Sequence, residues 1–168
     1  MYSRVRKFAD SLRKVGVSDG DVISVIAPNS PSIFEAHYAI PGCANAVLHT
    51  INTRLDAATI AFQLNHSKCK VLLCDSEHGK LMKEALALLP KELKKPIIID
   101  IVDPDYQPLS IDDNVLCGDG KIILEDFISR GSPDIALHLI SDEWYCFCCC
   151  YNNNDYESYY KYYYYYNS

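Results

Sequence analysis

Two runs in this 168-residue chain are almost unbroken in β-branched residues: Val22-Ile23-Ser24-Val25-Ile26-Ala27 and Ile97-Ile98-Ile99-Asp100-Ile101-Val102. A strand with one face in water alternates apolar and polar side chains. A near-continuous apolar run bounded by turn residues instead fits a strand covered on both faces, as in a parallel sheet. Two shorter runs, 46–51 and 70–74, have the same character. Between the runs lie segments of helical period, so strands recur about every 25 residues with helices between them. That alternation predicts βαβ units with right-handed crossovers and a mainly parallel α/β sheet with flanking helices. The central strands are expected at 22–27, 71–74 and 97–102, and the helices near 3–15, 31–40, 56–66 and 77–89.

Each helix has its own signature. In 3–15, Val5, Phe8, Ala9 and Leu12 fall at i, i+3, i+4 and i+7, and Gly16 stands where a left-handed C-terminal cap belongs. The polar side carries Arg4, Arg6, Lys7, Arg13 and Lys14 against Asp10, and reads as a solvated face rather than a transit peptide or membrane-surface helix. Pro31 suits the first turn of the second helix. Phe34, His37, Tyr38 and Ile40 are its expected apolar side, with Pro41-Gly42 as its end. Asp56 caps the third helix, with Ile60, Phe62 and Leu64 apolar. The fourth has Leu81, Ala85, Leu88 and Leu89 on one face. Residues 103–120 read as loop, and a short helix at 122–130 ends at Gly131.

Composition narrows the function classes. No stretch of about 18 uncharged apolar residues occurs, which predicts no transmembrane segment. No charged n-region leads into an apolar h-region, so a cytoplasmic location is expected. A net charge of −6 with both signs mixed argues against nucleic acid as a partner. Cys43, Cys69, Cys74 and Cys117 are scattered through apolar surroundings and read as buried small hydrophobes in a reducing compartment. Cys69 and Cys74, five apart, are expected on opposite faces of one strand. The run Cys146-Phe147-Cys148-Cys149-Cys150 lacks the spacers of a zinc knuckle.

Open parallel sheets take ligands at the carboxyl ends of their strands. Those ends are Pro28-Asn29-Ser30, Asn52-Thr53-Arg54 and Asp75-Ser76. Asp75 there could accept a ribose hydroxyl but reads better as a helix cap. No G-x-G-x-x-G follows a strand. Gly118-Asp119-Gly120-Lys121 has Val115 where a phosphate loop needs glycine and Ile122 after the lysine, so it reads as a turn. The histidines His37, His49, His66, His78 and His138 form no metal pair, and His37 reads as a satisfied core residue. Ser30 and Ser76 lie in no nucleophile elbow.

Five stretches, in order, resemble one family: 4–17 (Arg-Val-Arg-Lys-Phe-Ala-Asp-Ser-Leu-Arg-Lys-Val-Gly-Val), 20–29 (Gly-Asp-Val-Ile-Ser-Val-Ile-Ala-Pro-Asn), 51–56 (Ile-Asn-Thr-Arg-Leu-Asp), His66-Ser67 with 70–75 (Lys-Val-Leu-Leu-Cys-Asp), and Asp142-Glu143-Trp144. They are similar to the N-terminal portion of the AMP-forming acyl-activating enzymes, the acyl-CoA synthetase and ligase superfamily, nearest the plant-type acetate/butyrate–CoA ligase-like branch. The resemblance covers 2–144. It implies a partial N-terminal α/β subdomain of an adenylate-forming enzyme at 1–144. In intact form such an enzyme uses ATP, Mg and coenzyme A to adenylate a carboxylic or fatty acid and transfer the acyl group to the thiol, with a peroxisomal location as the alternative for the parent.

The sequence departs from that family in three places. It starts at the helix that follows an earlier hairpin-like segment in the family. Asn45 stands where a glycine is expected. The phosphate loop should begin near Tyr151, yet 145–168 holds ten of the 13 tyrosines, four of the eight cysteines and no glycine or proline. This tail, set apart as 145–168, has the composition of codons read out of frame through a shift, a retained intron or an artefact. As polypeptide it is expected to be poorly ordered at 151–168. No catalytic, cofactor-binding or metal residue is therefore assigned, and no cofactor is expected for this chain alone. The alternatives are a non-catalytic flavodoxin-like interaction module with a Tyr-rich binding tail, or a small nucleotide-binding protein.

Overall fold

The structure, a computed structural model, describes residues 2–102 and 122–135 and the backbone of 146–148. Helix α1 (Tyr2–Lys14) is followed by β1 (Val22–Ile26), α2 (Pro31–Tyr38), β2 (Val47–Thr50) and α3 (Ala57–Ser67). Then come β3 (Val71–Asp75), α4 (Gly79–Ala87), β4 (Ile97–Ile101), α5 (Leu124–Ser129) and β5 (Cys146–Cys148). The strands form one sheet in the order β4-β3-β1-β2-β5, and every pairing is parallel. The expected α/β architecture is present. β5 is an addition: it pairs Leu48 with Cys146 and Thr50 with Cys148, and falls within the compositionally distinct 145–168 segment. Parallel pairing needs only backbone groups, and Cys146-Phe147-Cys148 contains no proline or charge to oppose it. The expectations for 103–120 and 151–168 lie outside the described residues.

Both faces of the sheet are covered. Ile23, Val25, Val71, Leu73 and Ile99 point into one core closed by α1, α2 and α5. Ile26, Leu72 and Cys74 point into a second core closed by α3 and α4, where Ile60, Leu64, Met82 and Ala85 are buried. Successive residues of β1 and β3 thus serve opposite layers, as the pleat requires.

Several expected faces are corrected. α2 buries Glu35 and Ala36 and leaves Phe34 and Tyr38 exposed, because it docks against Arg4 of α1. His37 is half-buried, its Nδ1 hydrogen-bonded to the Ile33 carbonyl at 2.7 Å. Pro41-Gly42 does not end the helix, which continues as a wider π turn over Ala39–Cys43. A proline ring clashes with the carbonyl four residues back, and widening the turn relieves that contact. On α3, Ala61 rather than Phe62 joins Ile60 and Leu64 inside, while Phe62 stacks on His66 at the surface. On α4, Met82 is buried and Leu88 exposed, because α4 proper begins at Gly79, after a tight 3-10 turn over Ser76–His78. Cys69 precedes β3, so the strand's alternation does not reach it. It shares the second core with Cys74 instead of facing away. The expected left-handed Gly16 is observed at φ 90°, and the structure adds that Asn45, in the family's glycine position, is left-handed at φ 53°. Asparagine tolerates that region better than most side chains.

The basic face of α1 is also not merely solvated. Arg4 forks between two carboxylates, with Nε to Glu35 at 2.7 Å and Nη1 to Glu125 at 2.8 Å, tying α1 to α2 and α5. Arg6 donates to the Ile135 carbonyl, Arg13 to that of Cys43 and Lys14 to that of Arg130. The backbone of α1 and Gly131 approach closely: a Cβ on Gly131 would lie 1.9 Å from the Lys7 carbonyl oxygen.

Two consequences are measurable by chemical denaturation of the full chain. Arg4→Met leaves the Glu35 carboxylate, 11% exposed, without its partner. The expected cost is about 2 kcal/mol, below that of a fully buried pair because Arg4 is half in solvent, and Arg4→Met/Glu35→Met should recover most of it. Gly131→Ala forces α1 and α5 apart and should cost about 2 kcal/mol or more. A neutral result for either single variant contradicts this packing.

Candidate functional site

The strand order places a topological switch between β1 and β3. The helix after β1 covers one face and the helix after β3 the other, and a crevice between such diverging connections is where open α/β sheets take ligands. The chain presents Ala27, Pro28, Asn29 and Ser30 from β1, and Asp75 and Ser76 from β3. The next connection, after β2, brings Asn52, Thr53 and Arg54.

Local turns and caps engage three of these side chains, Asp75, Ser76 and Asn52. Asp75 is buried, and its Oδ1 accepts the Glu77 N–H at 3.0 Å, closing the turn before α4. Its role as a cap is thus observed. Ser76 Oγ donates to the Ile101 carbonyl at 3.0 Å, locking the end of β3 to the end of β4. Asn52 Oδ1 accepts the Arg54 N–H at 2.9 Å in an Asx turn. Asp56 then accepts the Thr59 N–H at 2.7 Å as the N-cap of α3, which holds its carboxyl below the usual carboxylate range. Pro28 and Pro31 bracket the connection after β1 and remove two backbone donors that an anion cradle would use. Among the described residues no group of three or more His, Cys, Asp or Glu is placed to hold a metal ion.

A second constellation escaped sequence reasoning. Ser24 on β1 and His49 on β2 are register partners, and Ser24 Oγ lies 2.8 Å from His49 Nδ1. A hydroxyl on an imidazole is the geometry of a nucleophile and its base. Both residues are fully buried, however, so no substrate reaches them, and the pair is a polar tie between strands. Burial pushes the His49 pKa down to about 4, with His66 adding a smaller effect of the same sign. Burial likewise pushes the Cys69 thiol up to about 11, and that thiol donates to the Val71 carbonyl at 3.0 Å. The available signal was two polar residues inside otherwise apolar strand runs. Their separation of 25 residues matches no motif.

His37, His66 and His78 lie on or beside three different helices and do not converge. Cys43, Cys69 and Cys74 are free and buried, as expected. His138, Cys117, the turn at 118–121 and Asp142-Glu143-Trp144 lie outside the described residues.

Against known proteins, a family model described as AMP-binding enzyme matches residues 1–119. The peroxisomal acetate/butyrate–CoA ligase AAE7 of Arabidopsis thaliana is 36% identical over 147 residues, covering 85% of this chain and 25% of that protein. Acetate–CoA ligase CCL3 of Humulus lupulus is 37% identical over 147 residues, again 85% and 25%. The chain spans about a quarter of the length of the curated relatives it matches. Among solved structures, the anthranilate CoA ligase AuaEII in complex with anthranoyl-AMP superposes with a TM-score of 0.65 at 18% identity, over 82% of this chain and 23% of that one. At that identity the likeness carries the fold alone.

The buried His49 makes stability depend on pH. Its folded pKa of about 4 lies below the unfolded value of 6.5, so the unfolded chain takes up the proton first. The contribution is complete above pH 6.5 and is lost as pH falls toward 4, on the order of 3 kcal/mol at 1.36 kcal/mol per pH unit. Urea midpoints across pH 4–7 should show this loss, and His49→Gln should flatten it. Superimposable profiles would contradict a neutral buried imidazole.

Proposed function

The chain belongs to the AMP-binding enzyme family, and on that premise we propose that it supplies the N-terminal α/β scaffold of an acid–thiol ligase. In intact form that ligase adenylates a carboxylic acid with ATP and passes the acyl group to coenzyme A. The observation that carries the reading is the 147-residue match to CoA ligases, which takes in most of the sheet and its helical layers. The reacting acid stays open, since the two relatives are named for acetate and butyrate. A reducing compartment suits the buried free thiols, either the cytoplasm or the peroxisome for which the Arabidopsis relative is named.

The 168 residues by themselves are inactive in this reading. A triphosphate exchanges its water for preorganised donors, and losing one such donor from an active site costs about 3 kcal/mol. Where the family places a glycine-bearing phosphate loop, this chain reads Tyr151-Asn152-Asn153-Asn154-Asp155-Tyr156-Glu157-Ser158. Every residue of that stretch carries a Cβ where glycine would let a backbone close on phosphate, and Asp155 and Glu157 add negative charge with only Lys161 nearby in sequence to oppose it. We read 145–168 as an out-of-frame replacement of that loop, with 1–144 as the family's own segment. ATP, Mg and coenzyme A then belong to the intact enzyme.

Two experiments test this. Calorimetry with Mg-ATP and pyrophosphate exchange with acetate, butyrate and a longer acid should give no signal from the 168-residue chain. Micromolar binding or exchange above background overturns its inactivity. Joining residues 1–144 to the remainder of the Humulus acetate–CoA ligase should give a chimera that forms acetyl-CoA. A soluble chimera with no activity overturns the scaffold reading.

A further inference from the structure

We draw no further inference here: the strongest candidate, the buried Ser24–His49 pair between β1 and β2, belongs to the site already described and is sealed from solvent, and nothing in the structure shows a ligand or a second conformation for it to serve.

Discussion

A parallel strand buried on both faces has no solvated side on which to place a polar residue, and that constraint governs this molecule. β1, flanked by β3 and β2, sends Ile23 and Val25 into one core and Ile26 into the other, so neither helical layer is optional. The crossovers supply the layers in turn, α2 on one face and α3 and α4 on the other. Two buried polar groups there are tied down by partners from other elements. Ser24 Oγ meets His49 Nδ1 between strands, and Glu35 is held by a guanidinium.

The N-terminal helix closes the larger core. Its apolar stripe of Val5, Phe8, Ala9 and Leu12 is buried, with Phe8 edge-on to Phe127 of α5 at 6.2 Å. Its basic side then holds distant parts of the chain: Arg4 reaches Glu125, 121 residues away, and Ser11 donates to the Phe127 carbonyl. Burial opposes the charge on Arg4, but the two carboxylates outweigh it and raise its pKa above the ordinary value. The same pairing holds the Glu125 carboxyl below its ordinary range. Charge and packing thus reinforce one another at one seam.

The strands and α1 were legible because their periods are strong and their ends marked by Gly, Pro or Asp. The faces of α2, α3 and α4 were not. Each is short, carries apolar residues all round, and takes its orientation from a neighbour that sequence period does not identify. Glu35 lies inside because Arg4, 31 residues earlier, is in reach, and Phe34 outside because Ala36 is the residue small enough to meet the sheet. Asp75 was legible as a cap from its place after a strand. The Ser24–His49 tie was not, since register alone brings its members together. At the carboxyl edge the bonds of Asp75, Ser76 and Asn52 make stable turns.

In the proposed function this chain is a scaffold, and nucleotide chemistry falls to the rest of the ligase. Hydrogen–deuterium exchange of the full chain with and without Mg-ATP tests that most directly. Amides of β1 and β3 should be the slowest, opening only with global unfolding, and no amide around 27–30 or 75–78 should change with nucleotide. Rapid exchange in β1, or protection of those connections by Mg-ATP, would contradict it.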